Sequence, residues 1–169
     1  MDDPAEPRWL TAEERQAWLT LMAVVMRLPT ALDAQLRAEA DLSYFEYSVM
    51  AMLSEGPNHT RRMSVVAALT EGSLPRLSQV VARLEKRGYI TRSPDPDDGR
   101  YTLASLTEAG WQKVVATAPG HVEEVRRLVF DPLNQSQVRQ LAAIAGRISS
   151  AIDPHERFLR EVTGVESQE

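Results

Sequence analysis

The stretch Arg83-Leu84-Glu85-Lys86-Arg87-Gly88-Tyr89-Ile90-Thr91-Arg92, followed by Asp98-Gly99-Arg100 and Leu106-Thr107-Glu108-Ala109-Gly110, decides the architecture. It begins inside a segment whose spacing predicts a helix over residues 74–87. On a wheel of ~100° per residue, Leu77, Val80, Val81, Leu84 and Gly88 gather on one side. Arg76, Gln79, Arg83 and Lys86 fall on an adjacent arc. Gly88 is the residue type that ends helices, and Pro75 lies in the first turn, where a missing N–H costs nothing. Two β-biased segments, residues 89–93 and 101–106, flank the turn-rich Pro94-Asp95-Pro96-Asp97-Asp98-Gly99-Arg100 and predict a hairpin. Leu103 and Leu106 fall on opposite faces of the second segment, which leaves the register open.

Upstream, Ser43 caps a helix over 44–54 that ends before Glu55-Gly56-Pro57-Asn58. A short apolar helix over 64–70 follows, and Glu71-Gly72-Ser73 makes the next turn. A short helix, a tight turn with Gly, a basic amphipathic helix and a hairpin, in that order, form a winged helix-turn-helix. Further out, Thr11-Ala12-Glu13-Glu14 reads as a capping box. Trp18, Leu21, Met22, Val25, Leu28, Leu32 and Leu36 then recur at helical spacing to about Glu39, with a kink expected at Pro29. Downstream, Thr107 opens a helix carrying Trp111, Val114, Val115, Ala118, Val122, Val125 and Val129, with a bend expected at Pro119-Gly120. Asn134 and Gln137 make a second capping box, and Val138, Leu141, Ile144, Ala145, Ile148 and Ile152 continue the apolar stripe. Asp153-Pro154 interrupts it, and Phe158, Leu159 and Val162 fall in a last turn or two.

The expected fold is therefore mainly α with a small β-hairpin wing. Its divisions are an extension (1–10), a dimerisation helix (11–42), the winged helix-turn-helix (43–107), a linker helix with C-terminal dimerisation helices (108–163) and a disordered tail (164–169). The long first helix and the last two hold more apolar surface than a winged-helix core can absorb. Each exposed Leu or Val would forfeit ~1.5–3 kcal/mol of burial, which pairing with a second copy recovers.

Composition narrows the function. The 169 residues are 43% hydrophobic and 25% charged, with no cysteine, so thiol redox sensing, thiolate zinc sites and cysteine nucleophiles are excluded. No run of ~18 uncharged apolar residues occurs, so no membrane span is expected. The acidic, Pro-broken N-terminus is unlike a signal peptide, which makes the cytoplasm the expected compartment. Net charge is -5, but its distribution is uneven. Residues 1–58 carry four basic against ten acidic side chains, residues 59–100 eight against five, and residues 101–169 seven against nine. A basic middle between acidic flanks is the footprint of a local polyanion site. His59, His121 and His155 are scattered without metal-ligand spacing and read as surface or loop residues. No P-loop, nucleotide-binding glycine fingerprint or nucleophile elbow is present, so neither catalytic residues, nor a metal, nor a cofactor is expected.

What the basic middle offers is a reader of double-stranded DNA. Arg pairs bidentately with guanine and Gln with adenine in the major groove. Arg76, Gln79 and Arg83 supply those groups, Ser73 and Ser78 add short donors near a helix N-terminus, and Arg61 and Arg62 add cations. Arg92 at the base of the hairpin and Arg100 at its tip suit the narrow minor groove. Asp95, Asp97 and Asp98 serve the turn, and at least one carboxylate orients a neighbouring arginine.

These residues resemble the MarR-type (multiple-antibiotic-resistance) regulators. The likeness lies in the stretch from Arg83 to Arg92, the Asp98-x-Arg100 pair, the five-residue gap and the Leu106-Thr107-x-x-Gly110 that follows. The resemblance implies a homodimer whose terminal helices interdigitate and whose two arms read an inverted repeat. It implies Asp98 and Arg100 as a structural and minor-groove pair, and base reading between Ser73 and Arg83. Gly99 departs from the family, which often places a basic residue there, and Glu71 puts an acid close to the DNA. It further implies repression as the commoner mode, and switching by small aromatic anions between the dimer helices and each arm. Candidate lining residues are Trp18, Met22, Met26, Tyr44, Tyr47 and Trp111, all large and near that junction. An alternative is an interaction or effector-binding dimer with a degenerate DNA face, which would show no salt-sensitive DNA affinity.

Overall fold

The structure, a computed structural model, describes residues 7–152. Asp153-Pro154, His155, Phe158, Leu159, Val162 and the tail after Gly164 lie outside the described residues.

Helix α1, Ala12–Ala40, starts at the expected capping box: Glu14 N–H donates to Thr11 Oγ1 and Thr11 N–H to Glu14 Oε2. It continues as one element past Pro29. A second box opens α2, Tyr44–Ser54, where Ser43 and Glu46 exchange the same two bonds. Next comes α3, Met63–Leu69, and then α4, Leu74–Lys86, capped by Ser73, whose Oγ accepts from Arg76 N–H. Gly88 adopts φ 76° just beyond α4, and Tyr89 N–H reaches back to the Leu84 carbonyl at 3.0 Å. That left-handed residue closes the helix and turns the chain into β2, Ile90–Pro94.

The expected two-stranded hairpin is in fact a three-stranded sheet. A short strand β1, Thr60–Arg62, pairs antiparallel with β3, Thr102–Leu106, giving the order β1-β3-β2. The hairpin register places Ile90 opposite Leu106 and Pro94 opposite Thr102. Ala104 is the one β3 residue fully buried, so Leu103 and Leu106 need not share a face. Thr60-Arg61-Arg62 carries no apolar alternation, and for that reason the strand leaves no periodic signal.

The core joins Leu36, Leu42, Val49, Met50, Leu53, Val66, Leu77, Val81, Leu84 and Ile90, each almost fully buried. It therefore holds α4 against α2 and α3 by the side its wheel predicted. Helix α5, Glu108–Val125, passes through Pro119 unbroken and ends in a wider turn over Arg126–Phe130, where Asp131 N–H bonds to the Arg126 carbonyl five residues back. The third capping box, Asn134 with Gln137, opens α6, Gln135–Ile152. No described residue of α6 is buried.

Helix α1 qualifies the expectation about membranes. It is long enough, and one 18-residue window of it apolar enough, to cross a bilayer by length and composition, although the helix as a whole carries seven charged residues, Arg27 and Asp33 among them. Only 6% of the apolar window is buried within the single chain. Trp18, Leu19, Leu21, Val24, Val25 and Met26 are exposed there, as are Leu141, Ile144, Ile148 and Ile152 on α6.

Candidate nucleic-acid interface

Recognition of a duplex needs donors held at one surface with their aliphatic stems fixed. Arg76, Gln79, Arg83 and Lys86 are all exposed along α4 while its opposite face is buried. Arg76 places its guanidinium 4.2 Å from the centre of the Phe45 ring, and Arg83 reaches Glu46 Oε1 at 3.4 Å. Burial pushes the Glu46 carboxyl up, but the Ser43 N–H and hydroxyl and the Arg83 guanidinium outweigh it and hold it below the usual range.

Two clefts border α4. One, of about 760 Å³, lies towards α1 and α2 and is lined by Asp33, Arg37, Tyr44, Arg76, Gln79 and Arg83 among others. The other, of about 290 Å³, lies towards the wing and is lined by Ser64, Ser78, Arg92, Arg100 and Tyr101 among others.

The wing is braced by two carboxylates. Asp98 holds Arg100 side-on, with Nε at 2.9 Å from Oδ1 and Nη2 at 2.6 Å from Oδ2. Those bonds, and next the Arg100 backbone N–H, hold the Asp98 carboxyl below the usual range. Asp95 is buried and takes the Arg62 Nε at 2.5 Å, while the Arg62 guanidinium lies 4.6 Å from the Tyr101 ring centre. The Asp97 N–H and the Arg62 guanidinium lower the Asp95 carboxyl against the opposing effect of burial. Arg92 is held in turn by Glu85, at 2.6 Å and 3.1 Å.

Other residues singled out from the sequence sit differently. The Ser73 hydroxyl is engaged as the α4 cap. Arg61 is half-buried, and its Nε donates to the Met52 carbonyl at 2.8 Å, which braces the end of α2. Of the six candidate effector residues, Tyr44 and Tyr47 meet across His121, with ring centroids 6.3 Å and 4.7 Å from it. Trp111 instead stacks on His59 at 4.4 Å, Trp18 and Met26 are exposed, and Met22 is half-buried. His121 corrects its surface reading: burial lowers its pKa, and its Nδ1 is buried without a hydrogen-bond partner among the described residues.

Sequence reasoning missed Phe45, Glu46 and Glu85 as supports of the arginines. The contacts span 31, 37 and 7 positions of sequence, so no local pattern reports the first two.

The fold recurs in solved proteins. Sco3205 of Streptomyces coelicolor, a MarR family transcriptional regulator whose crystal structure is a complex with DNA, is 38% identical, with TM-score 0.84 over 89% of this chain and 94% of that one. The chain belongs to the MarR family of transcriptional regulators. The MarR family model matches residues 40–100, which hold α2 to the wing. AbsC, a second MarR-family regulator of that organism, is 32% identical with TM-score 0.77, over 91% of this chain and 99% of that one. Among curated relatives, the HTH-type transcriptional regulator YdcH of Bacillus subtilis is 35% identical over 97 residues, or 55% of this chain and 64% of its own length. The match thus spans just under two thirds of that relative's length.

Proposed function

We propose that this chain binds double-stranded DNA as a homodimer in the cytoplasm and represses transcription from an inverted repeat. In this reading Arg76, Gln79 and Arg83 read base edges in the major groove, with Ser78 close to the backbone and Arg100 in the flanking minor groove. The observation that carries it is Arg100: the wing tip holds a guanidinium in a fixed plane on Asp98, beside an exposed polar row on the helix its root supports. Residues 11–42 and 108–163 supply the dimer contacts, since α1 and α6 leave apolar side chains uncovered in one copy. Two copies related by a two-fold axis present two recognition helices, which suits half-sites about one helical turn apart.

An effector, in this reading, enters the cleft of about 760 Å³ between α1, α2 and α4, where Arg37, Arg76 and Arg83 suit a carboxylate and Tyr44 suits an aromatic ring. It releases DNA by preferring the DNA-free state, either by holding Arg76 and Arg83 away from the base edges or by favouring another spacing of the two arms.

The test is selection of binding sites from random duplex DNA, followed by titration of the selected site at rising salt. A palindromic consensus and a steep loss of affinity with salt are expected. Failure to enrich any sequence, with no binding in dilute buffer, would leave the interaction-dimer alternative in its place.

A further inference from the structure

Four arginines of the proposed interface share one arrangement. Arg62, Arg83, Arg92 and Arg100 are each engaged by a carboxylate through the inner Nε edge, and among the described residues none of the four donates from Nη1. Arg92 and Glu85 are both about one-third exposed, with side-chain exposures of 34% and 35%. An ion pair so wetted contributes little to folding. Its effect is on the surface: Arg92 lines the cleft between α4 and the wing with Ser78 and Arg100, yet Glu85 cancels its charge there.

Resting on the DNA-binding reading above, we propose that Glu85 is a specificity-determining residue that acts by suppressing non-cognate binding. Affinity for an arbitrary duplex comes almost wholly from cations that displace condensed counterions. An arginine already neutralised by a carboxylate displaces fewer of them. A cognate site gains instead from donors fixed in position, and the side-on bond leaves the outer Nη1 end of Arg92 presented in a set orientation. Glu85 therefore lowers binding to random sequence more than binding to the operator, and the ratio of the two rises. This accounts for a DNA face that is only weakly basic: its cations carry their own counter-charges.

The experiment uses the full chain, the duplex selected by the wild type, and a shuffled duplex of equal composition, titrated between 50 and 200 mM salt. Glu85→Gln is isosteric at a partly exposed position, so the fold is retained, and a melting curve checks this. Its affinity for the shuffled duplex is expected to rise roughly three- to fivefold, with a salt dependence steeper by about 0.9 in logarithmic slope, the value of one phosphate contact. The selected duplex should change by less than half as much. Glu71→Gln removes a charge from the other cleft beside α4, one that forms no ion pair among the described residues, and so measures the generic effect. In an Arg92→Ala background, Glu85→Gln should do no more than Glu71→Gln does. Equal effects on both duplexes, or an effect that survives Arg92→Ala, overturns the role of Glu85 alone. A wild type that binds neither duplex removes the DNA-binding reading itself, and this inference with it.

Discussion

Arg100 and Asp98 show how much a two-residue separation can encode. The carboxylate takes Nε and Nη2 of Arg100 together, one on each oxygen, as two parallel N–H···O bonds. Arg100→Ala is expected to weaken binding to a cognate duplex roughly ten- to hundredfold, mostly on A·T-rich flanks. Asp98→Asn, which keeps the guanidinium but loses the fork, should reproduce most of that flank preference; titrations on A·T-rich and G·C-rich flanks decide. On α4, Gln79→Ala should cost about 1–3 kcal/mol at the cognate site and relax its sequence preference, read as the affinity ratio between cognate and scrambled duplexes. The Asp98–Arg100 contact was legible because both partners sit in one short turn. The Arg62–Asp95 contact was not, since it joins the end of β1, a strand without periodicity, to the start of the wing loop 33 positions later. His121 was illegible too: a histidine on a predicted helix shows nothing of the Tyr44 and Tyr47 rings that close over it. Burial lowers its pKa from the ordinary 6.5. The unfolded chain then takes up a proton that the folded chain resists, so stability falls as pH drops through about 6.5 and levels off below the folded value. Thermal melts between pH 8 and 5 should show this slope in the wild type and a flatter one in His121→Gln.

At the scale of elements, the wing root is a joint made by Thr107 and Gly110. Thr107 N–H donates to the Tyr89 carbonyl, its hydroxyl donates to the Gly88 carbonyl at 2.6 Å, and the same oxygen accepts from Gly110 N–H. A Cβ on Gly110 would lie 2.0 Å from the Tyr89 carbonyl oxygen, a backbone atom that cannot swing aside. Gly110→Ala should therefore destabilise the protein by about 1–3 kcal/mol or more, an overpacking cost seen as a lower melting temperature. The spacing of that Thr and Gly was legible; the reason for it required the close approach of α5 to the end of α4. Helix boundaries followed from capping residues, and the three boxes at Thr11, Ser43 and Asn134 all form. Pro29 and Pro119, where a kink and a bend are expected, break neither helix. At the turn before α4, Glu71 rather than Gly72 takes the left-handed conformation, while Gly72 makes room for the Phe45 ring.

For the whole molecule, the uncovered faces of α1 and α6 set the expected assembly. Val25, Met26, Ile144 and Ile152 are each more than half exposed in one copy, a poor state for apolar side chains on two long helices. Sedimentation at micromolar concentration should give twice the mass of one chain. Ile144→Asp combined with Val25→Asp should shift it towards monomer and cost DNA affinity far more than either change would through local charge. A monomeric wild type would remove the shared-helix arrangement while leaving each arm intact. The excess of stripe over core was readable from apolar spacing alone. Which faces meet across the two-fold axis was not, because periodicity identifies a buried side without naming what covers it.

The shared oxygen of Thr107 has a mechanical consequence. Because one hydroxyl ties the corner after α4 to the first turn of α5, a tilt of α4 is coupled to that long rod. Eighteen residues of helix span about 27 Å, so each degree of rotation at the joint sweeps the far end by roughly 0.5 Å. In the proposed dimer, wedging the rod by a few degrees would change the spacing of the two arms, so the distance between half-sites would be gauged as well as their sequence.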